Sequence, residues 1–159
     1  MRILIFGNSI TQGYHDTQGG WVARLLGAFI KKYGADTPGV FNLGISGNKT
    51  YDVEARFNAE AMARVQNRDD LIIFDVGTND SCKKAGKLAS TPDKFARDIK
   101  ELDDMARKYV DNVAFMNLTP CDDRRVQPAS WNNDLYYSND RINQFNTVLE
   151  NYVVAGGGI

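Results

Sequence analysis

Ile3-Leu4-Ile5-Phe6-Gly7-Asn8-Ser9-Ile10-Thr11 decides the fold of this chain. Its first half is a short apolar run, the pattern of a strand buried on both faces. The run breaks at Gly7, so Asn8 and Ser9 fall at the carboxyl end of that strand. Gly7 to Gly20 is polar and glycine-punctuated, which predicts a loop with room for a helical turn. Trp21 to Tyr33 follows with Trp21, Val22, Leu25, Leu26, Phe29 and Ile30 at helical spacing, and Gly34 reads as its stop. A buried strand feeding an amphipathic helix is half of a βαβ unit.

The unit repeats. Val40-Phe41-Asn42-Leu43 predicts a second strand, opening into the loop Gly44 to Lys49, with Thr50 as N-cap of a helix to about Val65. Asp70 to Val76 predicts a third strand, ending at Gly77-Thr78-Asn79-Asp80. Ser90-Thr91-Pro92-Asp93 starts a helix with Pro at its first position, burying Phe95, Ile99, Leu102 and Met105. Val113 to Leu118 predicts a fourth strand, and Thr119 to Asp134 a long polar loop, a length at which function is suspected. A last helix is expected from about Tyr136 to Tyr152, with Ile142, Phe145, Val148 and Leu149 inward. Strict alternation predicts an α/β fold, a parallel sheet in a three-layer α/β/α sandwich, as one domain over residues 1–159. The last helix lacks a following strand, and the glycine-rich stretch to Ile159 leads to none. The domain therefore reads as incomplete at its carboxyl end, its final strand missing. The open edge would permit association with another copy.

Composition narrows the function. A formal net charge of −1 gives no electrostatic case for nucleic acid or an acidic membrane, and no apolar stretch is long enough to span a bilayer. Cys82 and Cys121 lack metal-ligand spacing and read as reduced thiols, which together with the absence of a signal peptide predicts a cytoplasmic protein. Gly44 to Thr50 lacks the Gly-x4-Gly-Lys-Ser/Thr spacing of a phosphate loop. No cofactor or metal is expected.

Chemistry concentrates at strand ends. In an open parallel sheet the carboxyl ends share one edge, where ligands bind. That edge gathers Ser9, Gly44 and Asn79. A hydroxyl nucleophile, backbone N–H groups and a side-chain amide are what acyl transfer needs to attack a carbonyl and hold the developing oxyanion. Asp80 reads as a cap or loop brace. Cys82, with no base nearby in sequence, reads as an inert thiol. Trp131, Tyr136 and Tyr137 are candidates for a cleft wall.

Gly7-Asn8-Ser9-Ile10-Thr11 resembles the Gly-Asp-Ser-Ile/Leu-Thr block of the SGNH (GDSL-type) hydrolases. Asn42-Leu43-Gly44-Ile45-Ser46-Gly47-Asn48 is similar to their second block, and Gly77-Thr78-Asn79-Asp80 to their third. Three blocks in order, covering essentially the whole chain, imply a flavodoxin-like sheet and serine-dependent hydrolysis of small acyl esters, including acetylated sugars, through an acyl-enzyme. The resemblance gives Ser9 the nucleophile's role and Gly44 and Asn79, with the Ser9 N–H, the oxyanion hole. Position 8 carries Asn where the family usually has Asp, a residue that shapes the turn.

The fourth block, Asp-x-x-His, is absent from these 159 residues, so the triad Asp and His are not present. The only histidine, His15, reads as a rim residue rather than a substitute base. The chain is accordingly expected to be impaired in turnover. A ligand-binding pseudoenzyme and a flavin-binding module on the same fold are the alternatives.

Overall fold

The computed structural model describes residues 1–156. Strands β1 (Arg2–Gly7), β2 (Gly39–Gly44) and β3 (Leu71–Asp75) arise from the three clearest apolar runs. Helices α1 (Ser9–Gln12), α2 (Gly20–Tyr33), α3 (Thr50–Arg64) and α4 (Thr78–Ser81) lie between and after them. A hairpin of β4 (Lys83–Lys84) and β5 (Lys87–Leu88) precedes α5 (Pro92–Ala106). Strand β6 (Asn112–Phe115), the short β7 (Leu135–Tyr136) and α6 (Asn139–Val154) complete the order.

The main sheet is wholly parallel, in the order β2-β1-β3-β6. Strand β1 is central because it is apolar on both faces. Leu4 and Phe6, with Ile72 and Phe74 of β3, point into a large core under α3, α5 and α6. Ile3 and Ile5 point the other way, against Val22 and the half-buried Trp21, Leu25 and Phe29 of α2. Phe6, Phe57 and Phe74 meet at ring distances of 5.0–5.8 Å and join β1, α3 and β3. The register aligns Gly7 with Gly44 and with Asp75, so the first three strands end level at one edge. Three α/β/α layers thus stand as expected.

Local differences have local causes. Thr50 is the first residue of α3 rather than its cap. The cap position falls to Lys49, whose N–H donates to Asp52 Oδ2 at 2.9 Å. At α5 the expected cap is present, with Thr91 Oγ1 accepting from the Lys94 N–H and Pro92 following. Met105 and Val148 are only half-buried, whereas the other expected inward residues of α5 and α6 are buried. Helix α6 begins at Asn139, three residues later than about Tyr136, because Leu135–Tyr136 pairs as β7 with β4. That small antiparallel sheet, ordered β5-β4-β7, has no sequence signature, being built from two-residue strands. Among the described residues no fifth strand joins the main sheet, and β6 lies at its edge. The last residues of the glycine-rich stretch, 157–159, lie outside the described residues. No helix among those described is long and apolar enough to cross a membrane.

Candidate active site

The level strand ends create the site. Asn8 is buried and caps α1, its Oδ1 accepting the Ile10 N–H at 2.8 Å and its Nδ2 donating to the Asp75 carbonyl at 3.3 Å. The second contact needs an amide, since a carboxylate has no N–H to give. Ser9 therefore sits at the first turn of α1 on a fixed backbone, half-buried, at the wall of a cleft of about 630 Å³. The cleft wall also includes Tyr14, His15, Ser46, Gly47, Asn79, Trp131 and Tyr137. Tyr136, paired in β7, is not part of it.

Asn79 is held at both ends of its amide. Nδ2 donates to the Asn48 carbonyl at 2.9 Å, and Oδ1 accepts the Tyr137 hydroxyl at 2.9 Å. Those partners fix which way the amide faces and leave its second N–H unspent. Arg56 braces the same edge, donating to the Leu43 carbonyl at 2.7 Å and to Asn48 Oδ1 at 2.9 Å.

The two glycines of the β2 loop divide their duties. The Gly44 N–H donates to Asn42 Oδ1 at 3.0 Å, and Gly44 is not part of the cleft wall. A Cβ there would lie 2.3 Å from the Gln12 nitrogen and 2.8 Å from the Asn8 carbonyl oxygen. Gly44 must therefore be glycine so that β2 can pack against the α1 backbone, not to admit substrate. Gly47 is the third residue of a turn closed by the Asn48 N–H on the Ile45 carbonyl, at 3.1 Å, and takes φ +83°, as a type II turn requires. It faces the cleft, and among the described residues no acceptor takes its N–H. Sequence reasoning passed over Gly47. The signal was available in its place within Ser46-Gly47-Asn48, a turn tripeptide.

Two buried carboxylates support the floor. Asp80 Oδ2 accepts both the Thr50 N–H at 3.0 Å and the Thr50 hydroxyl at 3.1 Å, the bracing role expected of it. Asp75 lies beneath the Ser9 turn, where Oδ2 accepts the Thr11 hydroxyl at 2.7 Å. Burial pushes the Asp75 carboxyl above its ordinary value, against the pull of Thr11 and of the neighbouring Trp21 indole. A raised carboxyl keeps in the folded state a proton that the unfolded chain has released, so stability falls as pH climbs through that window. Asp75→Asn cannot ionise and retains an acceptor for Thr11. Its melting temperature relative to wild type is expected to rise as pH climbs above about 4, the ordinary carboxylate value. Parallel melting curves across that range would refute the assignment.

His15 lines the cleft but is exposed, its ring edge-on to Tyr14 at 4.2 Å. The adjacent Asp16 is engaged by Arg24 at 2.8 Å. Cys82 is buried, its thiol pushed up by burial and donating to the Asn79 carbonyl, in keeping with an inert thiol. Among the described residues no group of three His, Cys, Asp or Glu gathers to hold a metal ion.

Comparison with known proteins agrees with this architecture. Axe2, an acetylxylan esterase from Geobacillus stearothermophilus, superposes with a TM-score of 0.70 at 16% identity, over 99% of this chain and 73% of that one. The lipase/acylhydrolase from Enterococcus faecalis gives 0.70 at 24% identity, over 98% and 72%. AlinE4, an SGNH-hydrolase family esterase, gives 0.69 at 17% identity, over 96% and 70%. At these identities the likeness establishes the fold. No curated protein matches the chain. The GDSL-like Lipase/Acylhydrolase family matches over residues 5–158, nearly the whole sequence. This chain therefore belongs to the GDSL-like lipase/acylhydrolase family, a family of ester hydrolases.

Proposed function

We propose that Ser9 attacks the carbonyl of a small acyl ester and forms an acyl-enzyme. The observation that carries this reading is the placement of Ser9, Gly47 and Asn79, bearing a hydroxyl, a backbone N–H and a side-chain amide, in the wall of one cleft. The developing oxyanion is held by the Ser9 and Gly47 N–H groups and the free Asn79 N–H. Gly44, first in line for this duty by sequence, serves the α1 packing while Asn42 holds its N–H.

The floor beneath Ser9 is filled by buried Asn8, Thr11 and Asp75, so the acyl group accommodated there is short. The outer wall offers exposed aromatic faces, Trp131 at 67% and Tyr14 at 58%. Flat apolar faces beside polar edges suit the ring of a sugar, which makes an acetylated carbohydrate the preferred ester. Axe2 is named for such a substrate, an acetylated xylan.

The base is the weak point. His15 is the one histidine of the sequence, and among the described residues no carboxylate holds its ring, so hydrolysis by these 159 residues is expected to be slow. Acylation is the step to measure. Incubation with nitrophenyl acetate is expected to add one acetyl group on Ser9, located by peptide mass spectrometry. Ser9→Ala is expected to abolish that adduct. Persistence of the acetyl group at the same peptide in the variant would remove Ser9 from the mechanism. An intact cleft that binds acetylated sugar but never acylates would favour the pseudoenzyme. The flavin-binding alternative is set aside by the family match.

A further inference from the structure

Tyr137 is far from Asn79 in sequence, yet the fold brings them together by a defined route. Four residues after Asn79 the chain enters β4, and β7 pairs with it in the register Lys83 with Tyr136 and Lys84 with Leu135. The next residue is Tyr137. Its N–H donates to the Val126 carbonyl at 3.0 Å. On its other side α6 begins, and Arg141 clamps that helix to the far end of α4 by donating to the Ser81 carbonyl at 3.1 Å and to the approach to α5 by donating to the Ser90 carbonyl at 2.7 Å. The Tyr137 ring rests near Trp131, with centroids 6.4 Å apart. Among the described residues the hydroxyl has one partner, Asn79 Oδ1 at 2.9 Å.

We propose that Tyr137 is the positioning residue for Asn79, locking its amide by hydroxyl donation to Oδ1 so that Nδ2 can serve the oxyanion. This rests on the Ser9 reading above. An amide without that donor can turn over, presenting a carbonyl oxygen where the reaction needs an N–H. Asn48 alone holds only one N–H of the pair. Burial also pushes the Tyr137 phenol up to about 12, so it remains a donor throughout the usual assay range. The small antiparallel sheet thereby acquires a purpose, since it sets the height of the Tyr137 hydroxyl over Asn79.

The test is the rate of Ser9 acylation by nitrophenyl acetate, resolved into a limiting rate and a half-saturation concentration. Tyr137→Phe keeps the ring and removes only the donor. It is expected to lower the limiting rate about tenfold, with half-saturation changed less than about twofold. Asn79→Ala, which removes the donor itself, is expected to cost about a hundredfold. In the Asn79→Ala background, Tyr137→Phe is expected to add nothing, because both act through one amide. Multiplying losses in the double variant, or an unchanged limiting rate in Tyr137→Phe, would overturn the proposal. The nitrogen–proton NMR signals of the Asn79 side chain give a readout free of activity. They are expected to shift in Tyr137→Phe, and unmoved signals overturn the proposal even where acylation is undetectable. Failure of wild-type acylation with shifted Asn79 signals instead strikes the Ser9 reading and leaves the positioning role standing.

Discussion

Imidazole added to this protein is expected to raise its rate of nitrophenyl acetate hydrolysis, and to do so only while Ser9 is present. Ser9, the proposed nucleophile, lines a cleft of about 630 Å³ together with Gly47 and Asn79, and among the described residues no carboxylate holds the His15 ring. A positioned general base is worth about 10² to 10⁴ in rate. A diffusing imidazole recovers part of that, about tenfold to a hundredfold over the unaided protein. Imidazole also cleaves the ester in solution, so the quantity to compare is the increment over Ser9→Ala at each concentration. His15→Ala is expected to leave that increment and the unaided rate unchanged, since Asp16 is spent on Arg24 and among the described residues no carboxylate orients the ring. A large loss in His15→Ala would make His15 the base. A Ser9-dependent rate already fast and insensitive to imidazole would mean that the base is in place.

The second large effect separates the two glycines. Gly44→Ala is expected to damage the fold, because its Cβ would sit 2.3 Å from the Gln12 nitrogen, with backbone atoms and not a yielding side chain in the way. Overpacking of this kind costs about 1–3 kcal/mol or more, and relieving it must push α1, with Ser9, away from β2. Gly47→Ala meets no atom within 4 Å, and its cost comes only from a φ of +83°. A left-handed backbone costs a side-chain-bearing residue about 1–2 kcal/mol. The expected pattern is a lowered melting temperature in both, with Gly44→Ala the larger. Equal melting curves for wild type and Gly44→Ala would show that β2 does not pack on the α1 turn as described.

Much of this molecule was legible because its strongest signals are local. Ile3 to Phe6 and Leu71 to Phe74 are apolar on both strand faces, and such runs have few alternatives to a central parallel strand. Once those strands are placed, the blocks at Ser9 and Asn79 are forced to one edge by topology alone. What stayed hidden depends on contacts between distant residues. Lys83–Lys84 and Leu135–Tyr136 carry no alternation, and they are strands only through their pairing across the small sheet. Gly44 and Gly47 look equivalent in a glycine-bearing loop until Asn42 takes the N–H of one and a turn aims the other at the cleft. The direction of the Asn79 amide is set by a hydroxyl 58 residues away, which no window of sequence contains.

The pairing of β4 with β7 has a consequence for how the protein comes apart. The floor of the cleft is fastened to the parallel sheet and its phenylalanine core, whereas the wall bearing Trp131 and Tyr137 hangs on two-residue strands. Regions with few buried apolar contacts open at lower free energy than the core that carries them. The wall is therefore expected to open at lower free energy than the sheet, and any opening that moves Tyr137 also withdraws the hydroxyl that meets Asn79.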